Sequence, residues 1–164
     1  MSVERKSVAS LERFKKFGIL FGATGAFSGY FPVAPGTAGS LVGVLVVWGL
    51  RAAPAPLLFL LSVALGVFGV WVSGAASKIF RTKDPQKVVI DEIVGMMITM
   101  IGIPVTGFTL GLGFLLFRLL DVWKPVPANI FEMRFKNGWG IMLDDVMAGI
   151  YANLILHLVV RAQI

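Results

Sequence analysis

The chain contains no cysteine and a single histidine in 164 residues. Without cysteine there can be no disulfide framework, no thiolate metal site and no cysteine nucleophile. The one histidine, His157, falls near the far end of the last apolar run, which argues against a phosphohistidine route. Charge is scarce as well: 15% of residues are charged and 57% are apolar, with a mean hydropathy of +0.85. Soluble domains carry about 25% charged residues, so the natural solvent for this chain is the bilayer. No Asp-x-Asp-x-Thr/Val string is present to support an aspartyl-phosphate enzyme. Nor is there a D-x-x-D-G-x-x-A-R string of the kind a nucleotide-lipid phosphotransferase uses. The N-terminal stretch MSVERKSVASLERFKKFG lacks a compact apolar region ending in a cleavage site, so it is expected to be retained.

Fifteen Lys and Arg against nine Asp and Glu give a net charge of +6. In a soluble chain this would suggest nucleic acid. Here the cations flank apolar runs, the pattern of membrane topology and contact with anionic headgroups, so membrane lipids are the expected partners and nucleic acid is not. Charge-free runs at 38–50, 57–77, 93–117 and 146–160 mark the membrane segments. The run 93–117 reads either as one tilted span or as two arms broken at Gly102, Pro104 and Gly107. With two arms, thirteen of the fifteen cations share one side and only Arg51 and Arg161 lie opposite, so the positive-inside rule favours two arms. The expectation is an all-α, polytopic membrane bundle forming a single domain over 1–164. It has an N-terminal interfacial segment (1–34) and a helical membrane core (35–164), with helices near 38–53, 56–79, 90–103, 107–122 and 143–161. Residues 7–16 suit a short interfacial helix, and 17–36, interrupted by glycine and proline, reads as a loop or re-entrant stretch. Gly43 and Gly66 suit close helix packing without specifying an oligomer.

This topology brings five carboxylates to the cytoplasmic face: Asp91 and Glu92 opening one helix, Asp121 closing the next, and Asp144 and Asp145 opening the last. Singly, each reads as a helix cap or an ion pair, such as Asp121 with Arg118. Together, beside apolar helices, they call for a cation, and carboxylates with a phosphate are the preferred ligands of Mg²⁺. Adjacent acids on a helix point about 100° apart, so one of each pair is expected to stand back from the metal. Arg118 and Lys124 bracket Asp121 and can hold phosphoryl oxygens. The turn APGTAGSL offers Gly36, Thr37 and Ser40 to an oxyanion, with Thr37 or Ser40 as a simple N-cap being the structural alternative. Metal-activated water is the expected nucleophile. A cation transporter built on the same carboxylates is the alternative from another class.

Four blocks in order, PGTAGS at 35–40, VVIDEIVGMMIT at 88–99, FRLLDVWKPVP at 117–127 and NGWGIMLDDVMAG at 137–149, resemble the phosphatidylglycerophosphatase A family. The resemblance implies a Mg²⁺-dependent lipid phosphatase of the bacterial inner membrane with its active site facing the cytoplasm. It would cleave the terminal phosphate of phosphatidylglycerophosphate in the cytoplasmic leaflet to give phosphatidylglycerol and inorganic phosphate. It carries catalytic and metal roles onto Asp91, Glu92, Asp121, Asp144 and Asp145, and substrate contacts onto Gly36, Thr37, Lys124 and its neighbours. After KPVP the family often reads Ile and then an acid, where this chain has Ala128 and Glu132.

Overall fold

Helix boundaries in the computed structural model, which describes residues 3–126 and 138–162, fall where proline, glycine and hydroxyl residues put them. Helix α1 spans Val3–Ala23, and a 3-10 turn at Ser28–Tyr30 leads to α2, Pro35–Gly49, with Pro35 in its first turn. Helix α3 spans Ala55–Phe80 behind Pro54 and ends at Arg81 in the left-handed conformation. Helix α4 is Ile90–Thr99. Helix α5 is Gly107–Trp123, opened by a reciprocal capping box between Thr106 and Thr109. Helix α6 is Gly138–Arg161. No strand occurs among the described residues.

The all-helical expectation and the break between α4 and α5 agree with this structure, but several boundaries differ; α2 starts at Pro35 and ends at Gly49 instead of 38 and 53. Helix α1 runs on to Ala23, so the irregular stretch shrinks to 24–34. Gly18 and Gly22 do not break α1, because Gly22 lets it lie against Phe68 and Val72 of α3. Chain reversal comes only afterwards, at Gly25, Ala26 and Phe27, all with positive φ. Helix α4 stops at Thr99 instead of 103. Helix α6 begins at Gly138, five residues before the expected 143, so Asp144 and Asp145 lie in its second turn and cannot be caps. Glu132 lies outside the described residues.

Helix α4 is the axis of the bundle. It is buried along nearly its whole length and wrapped by α2, α3, α5 and α6, while α1 packs on α3. Glycines make the approaches close: Gly39 and Gly43 of α2 lie on Val89 and Met96, and Gly95 of α4 meets Gly149 of α6 backbone to backbone. Phe117, Met96, Met97, Met100 and Leu156 fill the interior. The outward faces are also apolar, with Leu45, Trp71, Val67, Leu115, Leu119 and Leu158 exposed. Among the described residues two helices, α3 and α6, are long and apolar enough to cross a membrane, with mean hydropathies of 2.3 and 1.5. At 1.5 Å per residue they reach about 39 and 36 Å, whereas α4 reaches only about 15 Å.

The short α4 is held at both ends. The Val89 amide donates to the Ala23 carbonyl at 2.9 Å. At the other end, the Asn153 amide of α6 donates to the carbonyls of Thr99 and Ile101, both at 2.9 Å, satisfying groups that a helix end leaves open.

Candidate active site

The five carboxylates come together between the start of α4, the end of α5 and the second turn of α6. The α4–α6 crossing sets the geometry. Asp91 stands one turn before Gly95, and Asp145 one turn before Gly149, so the two D-x-x-x-G segments bring their acids together where the backbones touch. Carboxylate oxygens of Asp91, Glu92 and Asp145 lie within 4.8 Å of one another. Asp91 is 9% exposed and Asp145 3%.

These three acids also share an unmet need. Among the described residues, four buried side-chain polar atoms lack a hydrogen-bond partner, and three of them are Asp91 Oδ1, Glu92 Oε2 and Asp145 Oδ2. Unpaired buried carboxylate oxygens are costly, and a cluster of them fits a hard cation that takes oxygen ligands. The donor set therefore suits Mg²⁺.

The other two acids are engaged by cations. Arg118 Nη1 pairs with Asp121 Oδ2 one turn along α5, and Asp121 in turn faces Glu92 and Asp145. Lys124, the left-handed cap of α5, reaches across to Asp144 Oδ2 at 2.9 Å. Asp144 Oδ1 accepts from the Asp145 amide at 3.1 Å. On α6, then, adjacent acids diverge: Asp145 turns to the cluster and Asp144 to Lys124. On α4 they do not, for both Asp91 and Glu92 reach it; the extra methylene of Glu92 offsets the difference in helical direction.

Gly36, in the first turn of α2, packs directly on this site. A Cβ there would lie 2.3 Å from Glu92 Oε1 and 3.3 Å from Arg118 Nη1. No side chain caps α2, whose N-cap is Ala34, so neither Thr37 nor Ser40 plays the capping role considered for them. Thr37 is half-buried in this turn. Ser40 is fully buried and donates to the Gly36 carbonyl at 2.9 Å, which ties its hydroxyl to its own helix. His157 stands apart, its Nδ1 3.0 Å from the Asn153 carbonyl beside the α4–α5 turn.

Sequence reading missed Asn153 and the Gly95–Gly149 contact. The paired D-x-x-x-G spacing was the available signal for the second.

A sequence profile described as phosphatidylglycerophosphatase A matches residues 21–160. The chain is 37% identical to phosphatidylglycerophosphatase A of Escherichia coli over 84% of this chain and 80% of that protein. It is 36% identical to phosphatidylglycerophosphatase A of Haemophilus influenzae over 82% of this chain and 83% of that one. A protein of Bacteroides thetaiotaomicron, provisionally named a phosphatidylinositol-3-phosphatase, is 35% identical over 81% of this chain and 87% of its own. No solved structure matches.

Proposed function

We propose, from the premise that the chain belongs to the phosphatidylglycerophosphatase A family, that it hydrolyses the terminal phosphate monoester of phosphatidylglycerophosphate, releasing phosphatidylglycerol and inorganic phosphate. The chain is a phosphoric monoester hydrolase of lipid metabolism, and the cation-transporter alternative finds no support in its relatives. The finer proposals concern where and how the reaction takes place.

We place the reaction at the carboxylate cluster. The observation that carries this is the convergence of three unpartnered, buried carboxylate oxygens from Asp91, Glu92 and Asp145 beside two cationic side chains. Mg²⁺ held by these three acids, with Asp121 and Asp144 behind them, would supply positive charge to a phosphoryl oxygen and activate water. The rest falls to the chain itself. Arg118 and Lys124 keep Asp121 and Asp144 in place, and each has several N–H groups with which to meet a phosphate. The uncapped start of α2, at Gly36 and Thr37, adds the positive end of a helix. The bare Cα of Gly36 leaves Glu92 and Arg118 room to meet.

We further propose that α2, α4 and α5 are embedded along with α3 and α6 in the bacterial inner membrane, with the site facing the cytoplasm. Support comes from the distribution of Lys and Arg and from the apolar outward faces. The direct test measures phosphate release from phosphatidylglycerophosphate, with Mg²⁺ and with EDTA, for wild type, Asp91→Asn and Asp145→Asn. We expect EDTA-sensitive turnover by wild type and a loss of at least about 100-fold in folded variants, in line with losing a principal electrostatic element of a site. Variants that release phosphate at the wild-type rate would remove the cluster from the reaction.

A further inference from the structure

A recess lies between the 3-10 turn and the α3–α4 connection, beside the first turn of α2 that abuts the carboxylate cluster. Tyr30, Pro35, Phe80, Thr82, Gln86 and Lys87 are among its lining residues. The Lys87 ammonium sits 4.7 Å from the ring centre of Tyr30 and 5.9 Å from that of Phe80, a cation held between two aromatic faces. Its backbone is fixed too. The Lys87 carbonyl rests on Gly29, where a Cβ would come within 2.1 Å of it, and the next two amides donate to the carbonyls of Pro85 and Ala23. An exposed lysine ordinarily loses rotamer entropy when it binds an anion; Lys87 is held in advance.

The recess and the cluster share a wall. Pro35 lines the recess, and the next residue, Gly36, abuts Glu92 and Arg118. Asp84 also lines the recess, but between residues 78 and 87 it is the one acid against Lys78, Arg81, Lys83 and Lys87, so the local field favours an anion. At the outer edge Phe31 and Val33 are exposed, at 59% and 70%.

We propose that this recess binds the bridging phosphodiester of the lipid while the carboxylate cluster holds its terminal monoester, with Lys87 as the residue that selects lipids bearing both phosphates. This rests on the function proposed above and deepens it. The recess with Lys87 and the carboxylates beyond Gly36, joined through Pro35, offer separate places for the phosphodiester and the phosphomonoester, and the exposed Phe31 and Val33 offer apolar contact for the acyl chains. A lipid monoester lacking the second anion forgoes the Lys87 contact.

The test compares full-length Lys87→Gln with Lys83→Gln, which removes the same charge from the same connection outside the recess. For phosphatidylglycerophosphate, Lys87→Gln should raise KM roughly tenfold with kcat within about twofold of wild type, as expected for one lost charge-assisted contact. Lys83→Gln, which only weakens the surrounding field without removing a contact in the recess, should change KM by less than about twofold and leave kcat unchanged. Equal effects of the two substitutions, or no effect of Lys87→Gln, overturn the proposal. A second measurement needs no turnover: binding of short-chain phosphatidylglycerol, which carries only the bridging phosphate, to the detergent-solubilised protein by saturation-transfer NMR. Binding should weaken in Lys87→Gln, and identical binding by wild type and variant counts against the recess. If wild type released no phosphate from phosphatidylglycerophosphate, the assigned activity would fall, while the binding comparison would still decide the role of Lys87.

Discussion

Gly36 of α2 and Glu92 of α4 face each other so closely that a single methyl group on residue 36 would sit 2.3 Å from the Glu92 carboxylate. No carbon approaches an oxygen that closely without displacement, so Gly36→Ala must shift either the Glu92 carboxylate or the start of α2 and so disturb the arrangement of Glu92 with Asp91 and Asp145. We expect a fall in kcat of roughly tenfold or more, the order seen when a positioned group is moved off its productive geometry, with little change in helical content. Steady-state phosphate release alongside circular dichroism checks it, and normal activity in the Gly36→Ala variant would show that Glu92 has no fixed place in the reaction.

Asp91, Glu92 and Asp145 are crowded together and each leaves one buried carboxylate oxygen without a partner, so a bound divalent cation should stabilise the fold. Mg²⁺ at about 100 times its Kd adds about 2.7 kcal/mol by mass action and should raise Tm measurably. Asp145→Asn should blunt that rise and, in EDTA, melt at or above wild type because a like-charge contact is relieved. Thermal melts of both proteins across a Mg²⁺ titration test the pair of expectations. Equal Mg²⁺ responses would contradict them.

Lys124 and Asp144 bridge α5 and α6 in a part-buried ion pair. Lys124→Met leaves Asp144 facing Asp145 without its cation and should cost about 3 kcal/mol, the usual order for breaking such a pair from one side. The double variant Lys124→Met, Asp144→Asn should recover part of that loss. A double-mutant cycle on unfolding free energies gives the coupling, expected at about 1–3 kcal/mol. Strict additivity would mean that the pair does not hold the helices together.

Asn153 closes two carbonyls at the end of α4 with one side chain. Asn153→Leu leaves the carbonyls of Thr99 and Ile101 buried and unmet, at a cost of about 2–4 kcal/mol. Amide exchange should rise first in residues 97–103, before the rest of the bundle. Uniform acceleration along α4 would show instead that Asn153 supports the whole helix.

Much of this architecture was legible in the sequence because apolar helices announce themselves by the absence of charge. The α4–α5 break followed from glycine, proline and the one-sided distribution of Lys and Arg, and the five acids stood out as charges beside apolar helices. What escaped was whatever depends on contact between distant residues. Helix α1 continues through Gly22 because α3 lies against it there, a tertiary effect that local propensity does not register. The start of α6 at Gly138 was hidden for a similar reason: Gly138 fits against the backbone of Val70 and Gly74, and in sequence it resembles a loop residue. The choice between Asp144 and Asp145 needed the position of Lys124, twenty residues away.

The meeting of Gly95 and Gly149 has a bearing on how the molecule moves. With no side chain between them, α4 and α6 have no cushion to compress and no gap through which to slide, so they move as a single beam carrying Asp91, Glu92 and Asp145. Breathing of the site, whether to admit a headgroup or to let free phosphate leave, therefore falls to the walls that are pinned by side chains. Chief among these is the end of α5, held through Lys124 and through the Tyr151 hydroxyl on the Val126 carbonyl. The acids ride on helices joined backbone to backbone, and the cations Arg118 and Lys124 on a helix joined to them through side chains.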